Sequence, residues 1–164
     1  MNHKIHNQLI VILAQPQLMH CYENDELRHT YPVSTGKKGL GEQMGSECTP
    51  RGWHEIHSIV GLDSEVNSVF VARVWTGELY SQELASQFPD RDWILTRILR
   101  LSGLELGRNK GGQVDSLERY IYIHGTPDST PLGVPGSHGC VRMRNADVIA
   151  LADWVHIGTR VCIE

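Results

Sequence analysis

The feature that most constrains the fold is a series of short apolar and β-branched runs that end at glycine, proline or asparagine. Runs of about four to eight such residues between turn signals are typical of β-strands. The sequence predicts strands over residues 8–14, 18–22, 27–33, 69–75, 93–101, 119–124 and 160–163, with another beginning at His54. A chain built mainly from such segments is expected to form a sheet that packs on itself.

Only two segments favour helices. Ser81 is predicted to cap a short helix that ends before Pro89, and Asn145 to cap a longer one over residues 146–156. The predicted fold is therefore mainly β: a β-sandwich-like domain, or a partly open barrel, with one or two short helices. A length of 164 residues predicts a single domain over 1–164.

Charge and cysteine content exclude several classes of function. The net charge of −4 offers no basic surplus for a phosphate backbone, so neither nucleic acid nor a membrane surface is an expected partner. The four cysteines, Cys21, Cys48, Cys140 and Cys162, have no CxxC spacing. They are interpreted as reduced thiols rather than as a disulfide framework.

The apolar run Leu9–Ala14 near the N-terminus bears on the compartment. Six residues are fewer than the ~7–15 of a secretory signal and far fewer than the ~20 of a membrane span. Gln15 and Pro16 follow directly, which favours a strand that ends in a turn. We therefore expect a cytoplasmic protein.

The segment with the clearest chemistry is His124-Gly125, a Pro/Gly-rich loop, and then Ser137-His138-Gly139-Cys140-Val141-Arg142. A cysteine attacks as the thiolate, and an adjacent imidazole can accept its proton. The loop is long enough to bring Cys140 back to His124 at the end of a strand. Gly139 has no side chain, so the backbone N–H groups of Gly139 and Cys140 are candidates for an oxyanion hole.

Rival interpretations of these residues remain open. His124, His138 and Cys140 could supply three zinc ligands, but a fourth ligand is missing, and we predict no metal and no cofactor. A binding module without catalysis is a further alternative. The glycine-rich loop over 34–52 lacks the spacing of a phosphate-binding loop, and the sequence leaves the role of Cys48 within it undecided.

The combined pattern, His124-Gly125 with Ser137-His138-Gly139-Cys140-Val141-Arg142, resembles the signature of the YkuD-type L,D-transpeptidase family. Tyr31–Lys37 and Thr49–Gly52 resemble the N-terminal half of the same family, so the likeness covers nearly the whole chain. It implies the β-sandwich-like catalytic domain of that family.

The resemblance also implies roles for individual residues. Cys140 would be the nucleophile and His124 the base, held by the carbonyl of Gly125, while His138 and Gly139 would shape the oxyanion site. The residues expected to bind substrate are Ser137, Arg142 and Tyr122.

The implied substrates are peptidoglycan stem peptides, cleaved at the L-centre carbonyl of the third residue with loss of the terminal D-alanine. If the chain is cytoplasmic, soluble muropeptides would be the partners and water the acceptor. We therefore expect an L,D-carboxypeptidase of murein recycling, with an L,D-transpeptidase as the alternative. The binding module without catalysis would, on the same resemblance, bind muropeptides. The sequence makes no prediction of oligomeric state.

Overall fold

A computed structural model describes residues 7–164 of the chain. The predicted boundaries of 1–164 therefore include six residues that lie outside the described part. The ten strands are β1 (Gln8–Leu13), β2 (Leu18–Glu23), β3 (Glu26–Ser34), β4 (Gly52–Val60), β5 (Ser68–Val71), β6 (Val74–Leu79), β7 (Ile94–Gly103), β8 (Tyr122–Thr126), β9 (Val141–Arg144) and β10 (Arg160–Ile163). The helices are α1 (Gln82–Gln87), α2 (Asn145–Trp154) and a 3-10 turn over Gly112–Val114.

The sheet closes into a barrel, which corrects the expected sandwich-like shape. Its strand order is β4-β10-β1-β2-β3-β9-β8-β7, and β7 pairs again with β4 to complete the ring. Strand β7 allows this because it is long: one edge pairs with β8, and the other pairs with β4 over Ile98–Gly103 and with β5 at Ile94 and Leu95. Closure leaves no open edge in the ring, while the β5–β6 hairpin extends from β7 outside it.

The barrel interior and the inner side of α2 form one hydrophobic core. Inward-facing strand residues such as Ile10, Ile12 and Leu99 are fully buried, and Val148 and Leu151 of α2 pack against them. Strand β1 lies between β2 and β10, so the apolar run near the N-terminus is a barrel strand. In residues 7–164, no helix has the length and apolar character needed to cross a bilayer.

The strand predicted over residues 69–75 is instead a hairpin. Strand β5 ends at Val71 and β6 begins at Val74, with Ala72 at φ 48° and Arg73 at φ 64° between them. Two consecutive residues with positive φ make the turn that matches the twist of a two-residue hairpin. The sequence did not indicate this turn, because neither residue is a glycine or asparagine.

The predicted cap of α1 is confirmed, and that of α2 is wrong. The Oγ of Ser81 accepts a hydrogen bond from the N–H of Leu84. Helix α2 begins one residue earlier than expected, with Arg144 as a cap that has no side-chain hydrogen bond. The buried Asn145 side chain accepts instead from Thr96 Oγ1, 2.6 Å away, because tertiary contacts at its position replace the capping bond.

A buried histidine in β4 is expected to make the fold sensitive to acid. His54 bonds Gly52 O and Ser116 Oγ through its two ring nitrogens, and burial lowers its pKa from 6.5 to about 4. The unfolded chain binds the proton first, so stability is lost as pH falls from 6.5 towards 4. Over the whole interval between the two pKa values, the free energy of unfolding falls by about 3 kcal/mol.

Urea unfolding of His54→Gln and wild type at pH 7 and pH 5 tests this prediction. The variant should lose less stability between the two pH values than the wild type. His57→Gln is the matched control, because His57 is exposed on the same strand. An equal acid loss in all three proteins would contradict the assignment to His54.

Candidate active site

A parallel strand pair brings the two candidate catalytic residues to one face of the sheet. Strands β8 and β9 pair with His124 opposite Arg142, and Cys140 immediately precedes β9. Alternate residues of a strand point to the same side. Cys140 and Arg142 therefore share the face on which His124 lies.

The Cys140 thiol sits among backbone groups of the turn before β8. Its Sγ accepts from the N–H of Tyr122 and donates to the carbonyl of Tyr120, each at 3.3 Å. Burial raises the pKa of Cys140 to about 12, although the Tyr122 N–H opposes the shift. Cys140 is therefore a neutral thiol whose proton points to the carbonyl of Tyr120 rather than to His124.

The strand predicted over residues 119–124 begins only at Tyr122, because the residues before it form a turn. Tyr120 adopts φ 58° in the turn before β8, so it leaves the extended conformation that the alternation predicts. This turn directs the Tyr120 carbonyl to Cys140 and leaves the ring 55% exposed. Tyr120 therefore does not continue the strand face that carries Tyr122 and His124.

His124 is buried and held in one orientation. Its Nδ1 lies 2.6 Å from the carbonyl oxygen of Gly125. Since a carbonyl can only accept, Nδ1 carries the proton and Nε2 keeps a lone pair. Burial lowers the pKa of His124, so the ring is neutral at neutral pH.

Gly125 is fixed as glycine by the packing beneath it. A Cβ at this position would lie 2.4 Å from Asn145 Oδ1 and 2.6 Å from the carbonyl oxygen of Leu95. The Asn145 side chain that does not cap α2 thus supports the strand at His124. Asp128, the acidic residue nearest to His124 in the sequence, accepts a hydrogen bond from Asn145 Nδ2 at 3.4 Å.

The turn that carries Cys140 is closed by Ser137. Its hydroxyl donates to Cys140 O at 2.5 Å and accepts from the N–H of Gly139 at 3.1 Å. Ser137, predicted to bind substrate, is 3% exposed and bonds within the turn instead. The Gly139 N–H is also occupied, which leaves the Cys140 N–H as the candidate oxyanion donor without a backbone partner among the turn and loop hydrogen bonds of residues 7–164.

The glycine-rich loop over residues 34–52 packs directly on this turn. Thr49 Oγ1 donates to Gly139 O at 2.8 Å and accepts from the N–H of Gly36 at the same distance. Arg119 Nη2 donates to Cys48 O at 2.8 Å. Cys48 therefore reaches the site through its backbone carbonyl, while its Sγ bonds weakly to Lys38 O and Ser46 O.

Asp92 is the polar residue of the site that the sequence analysis missed. Its carboxylate lies 3.0 Å from Arg142 Nη2 and 3.4 Å from His138 Nδ1. Burial of Asp92 favours its neutral form, but the charge and hydrogen bond of Arg142 help to bring its pKa below the ordinary value. Asp92 stands in a short loop without a recognisable motif, so no signal in the sequence pointed to it.

The other two residues predicted to bind substrate, Arg142 and Tyr122, already have partners within the protein. Arg142 donates to Gly136 O as well as to Asp92, so part of its charge is already neutralised. The Tyr122 ring is 4% exposed, packs with Phe70 and Ile98, and accepts a hydrogen bond at its hydroxyl. Contact of either residue with a substrate stays a prediction.

The zinc hypothesis receives no support from the arrangement of ligands. No group of three or more His, Cys, Asp or Glu side chains within residues 7–164 could hold a metal ion. His138 bonds to Asp92, and the Cys140 thiol is occupied by the two tyrosine backbones.

Substitution of Gly139 by alanine is expected to reduce activity strongly while the fold persists. Gly139 has φ 123°, which favours glycine, and an added Cβ would lie 3.1 Å from Cys48 O. The turn must shift, which moves Cys140, so we expect a loss of about 100-fold in kcat/KM. Turnover and thermal unfolding measured together check this, with Gly133→Ala as the control, because Gly133 also has positive φ but no neighbour within 4 Å. Equal losses of activity in the two variants would contradict the explanation.

Comparison with known proteins identifies the fold. The YkuD family, described as the L,D-transpeptidase catalytic domain, matches residues 6–163. L,D-transpeptidase 3 from Mycobacterium tuberculosis, solved with a faropenem-derived adduct, superposes with a TM-score of 0.60 at 16% identity, over 97% of this chain and 60% of that one. An L,D-transpeptidase from Mycobacterium smegmatis gives a TM-score of 0.56 at 17% identity, over 97% and 59%. At these identities the likeness concerns the fold.

Curated relatives match over shorter stretches. A Bacillus subtilis protein named as the L,D-transpeptidase YkuD is 48% identical over 62 residues, which are 35% of this chain and 38% of the relative. The Escherichia coli L,D-transpeptidase YbiS is 49% identical over 43 residues, 26% of this chain and 14% of the relative. The matches thus span well under half of these relatives. Since the family match extends over residues 6–163, this chain belongs to the YkuD family of L,D-transpeptidase catalytic domains.

Proposed function

We propose that this protein transfers the acyl group of a peptidoglycan stem peptide to water through a thioester on Cys140. The observation that carries the proposal is the orientation of His124. Its Nδ1–H bond to Gly125 O leaves Nε2 as a proton acceptor on the face that Cys140 shares. The family membership supports the same chemistry.

The reaction begins from a neutral pair. As substrate approaches, His124 Nε2 takes the thiol proton while the sulfur attacks the carbonyl carbon of the third residue. The resulting imidazolium returns the proton to the amine of the terminal D-alanine as the C–N bond breaks, which leaves a thioester. Water then attacks the thioester with His124 as base, and the Cys140 thiol leaves.

The surroundings of the Cys140 thiol explain why its proton would move to His124 only when substrate is present. A pKa near 12 leaves almost no free thiolate at neutral pH. A substrate that displaces the contact with Tyr120 would free the S–H for His124. The developing oxyanion would be met by the Cys140 N–H, and one such donor is worth about 3 kcal/mol.

The choice of water as acceptor and the cytoplasm as compartment are parts of the same proposal. The apolar run near the N-terminus serves as barrel strand β1, which supports its interpretation as part of the fold rather than as an export segment. In the cytoplasm the donors at hand are soluble muropeptides, and water is the abundant acceptor. The protein would then act as an L,D-carboxypeptidase of murein recycling.

Product analysis tests the proposal. Purified protein is incubated with disaccharide tetrapeptide, with and without added D-amino acids, and the products are weighed by mass spectrometry. Tripeptide and free D-alanine in both reactions support hydrolysis. Cross-linked dimers or exchanged D-amino acids would instead establish the transpeptidase, and an inert tetrapeptide would end both. Fractionation of cells that produce the whole protein tests the compartment.

A further inference from the structure

The tip of the β5–β6 hairpin places an arginine over the residues that hold the nucleophile. Arg73 Nη1 donates to the Tyr122 hydroxyl at 2.9 Å, and its guanidinium carbon lies 5.0 Å from the centre of the Tyr120 ring. The backbones of the same two tyrosines bond to Cys140 Sγ. A cation from a distant part of the chain thus contacts the side chains of both residues whose backbones hold the sulfur.

This cation differs from the other arginines around the site in its partners. Arg142 is paired with Asp92, and Arg119 bonds to oxygens of the glycine-rich loop. Arg73 forms no ion pair within residues 7–164, and the hydrogen bond to Tyr122 raises its pKa against the smaller opposing effect of burial. A guanidinium has five N–H donors, and one hydrogen bond is formed here, so a fork remains for a carboxylate.

The backbone on both sides of this contact is held in an uncommon conformation. Arg73 has φ 64° and Tyr120 has φ 58°, in the left-handed region that bulky residues seldom adopt. Such conformations persist where the surroundings impose them, and they cluster at functional sites. Here they bring the guanidinium onto the Tyr120 ring and the Tyr120 carbonyl onto Cys140 Sγ.

We propose that Arg73 binds the terminal carboxylate of the stem peptide, on the D-residue that leaves when Cys140 is acylated. The choice of carboxylate rests on the proposed function, in which the bond that Cys140 attacks joins the third residue to a terminal residue with a free carboxylate. A bidentate pair with Arg73 would fix the scissile carbonyl over the sulfur. It would also select peptides that end at this residue over peptides that are longer by one.

Alkylation of Cys140 tests the anion site without a peptide. Iodoacetate and iodoacetamide share a leaving group but differ in charge, and the ratio of their rates does not depend on how much thiolate is present. The rates at Cys140 are followed by mass spectrometry of peptides. In Arg73→Gln the ratio of iodoacetate to iodoacetamide rates should fall by about threefold or more. Arg73→Lys should keep it, and so should the control Arg160→Gln, because Arg160 begins β10, which lies between β1 and β4 in the ring.

Paired substrates test which carboxylate is bound. Disaccharide tetrapeptide with a terminal acid is compared with the same peptide ending in a carboxamide. For Arg73→Gln we expect kcat/KM to fall about 10- to 100-fold on the acid, mainly through KM, and to change little on the amide. Arg73→Lys should lose less, because it keeps the charge but not the fork.

The outcomes separate this inference from the proposed function. An unchanged alkylation ratio in Arg73→Gln, or equal losses on acid and amide peptides, would overturn it. If wild-type protein turned over neither peptide while the alkylation ratio still fell, the proposed function would be lost and the carboxylate site would stand. The hairpin tip is outside the barrel, so these variants are expected to fold, and thermal unfolding checks that they do.

Discussion

Replacing Cys140 with alanine should reduce turnover of disaccharide tetrapeptide by at least about 1000-fold and leave a folded protein. Without the sulfur no thioester can form, and the remaining groups only polarise the carbonyl. The thiol makes two hydrogen bonds to backbone, so the unfolding midpoint should fall by only a few degrees. Tripeptide release and thermal unfolding, measured on the same preparation, check both parts.

Cys48→Ala is the matched control for this substitution. Cys48 lies beside the same turn but contributes its backbone carbonyl, so its thiol should be dispensable. Treatment with faropenem should increase the mass of the Cys140 peptide in wild type and in Cys48→Ala, and should leave Cys140→Ala unmodified. Turnover by Cys140→Ala within tenfold of wild type would remove the acyl-enzyme from the proposal.

Replacing His124 with glutamine should reduce kcat by about 100- to 10 000-fold. Glutamine is similar in size and its amide can donate to Gly125 O, but it cannot accept a proton. With the pKa of Cys140 near 12, the loss of the base leaves almost no thiolate, so acylation slows rather than hydrolysis alone. Single-turnover measurement of D-alanine release isolates that step.

His138→Gln is the control that distinguishes a base from a neighbouring histidine. The His138 side chain is 62% exposed and bonds to Asp92 at 3.4 Å. We expect its removal to cost less than about tenfold in kcat, since exposed ion pairs contribute little. If the two histidine variants lost activity equally, His124 would not be the specific proton acceptor.

The local part of the site was predictable because its contacts join near neighbours in the chain. His124 bonds to the next residue, and Ser137, Gly139 and Cys140 bond within one turn. Spacing and residue type are enough to indicate such contacts. The residues that the sequence did not reveal, Asp92 and Arg73, come from separate loops, and their positions depend on how β7 and the β5–β6 hairpin pack.

The same distinction separates the strands from the barrel that they form. Alternating apolar residues predicted most strands, since that period is a property of each segment alone. Whether the sheet closes depends on β7 pairing with both β4 and β8, which are far apart in the chain. The strand predicted over 69–75 failed because its turn residues, Ala72 and Arg73, carry no turn signal of their own.

By itself, the sequence determined that the chain is mainly β and which cysteine and histidine share a motif, because period, glycine placement and short spacing are local properties. Only the tertiary structure decided that the sheet closes, that the Cys140 thiol donates its proton to the Tyr120 carbonyl, and that Arg73 contacts the Tyr120 ring. These depend on burial and on groups brought together from distant segments. Desolvation is the main cause of the raised pKa of the Cys140 thiol, and it depends on the surrounding fold rather than on the residue type.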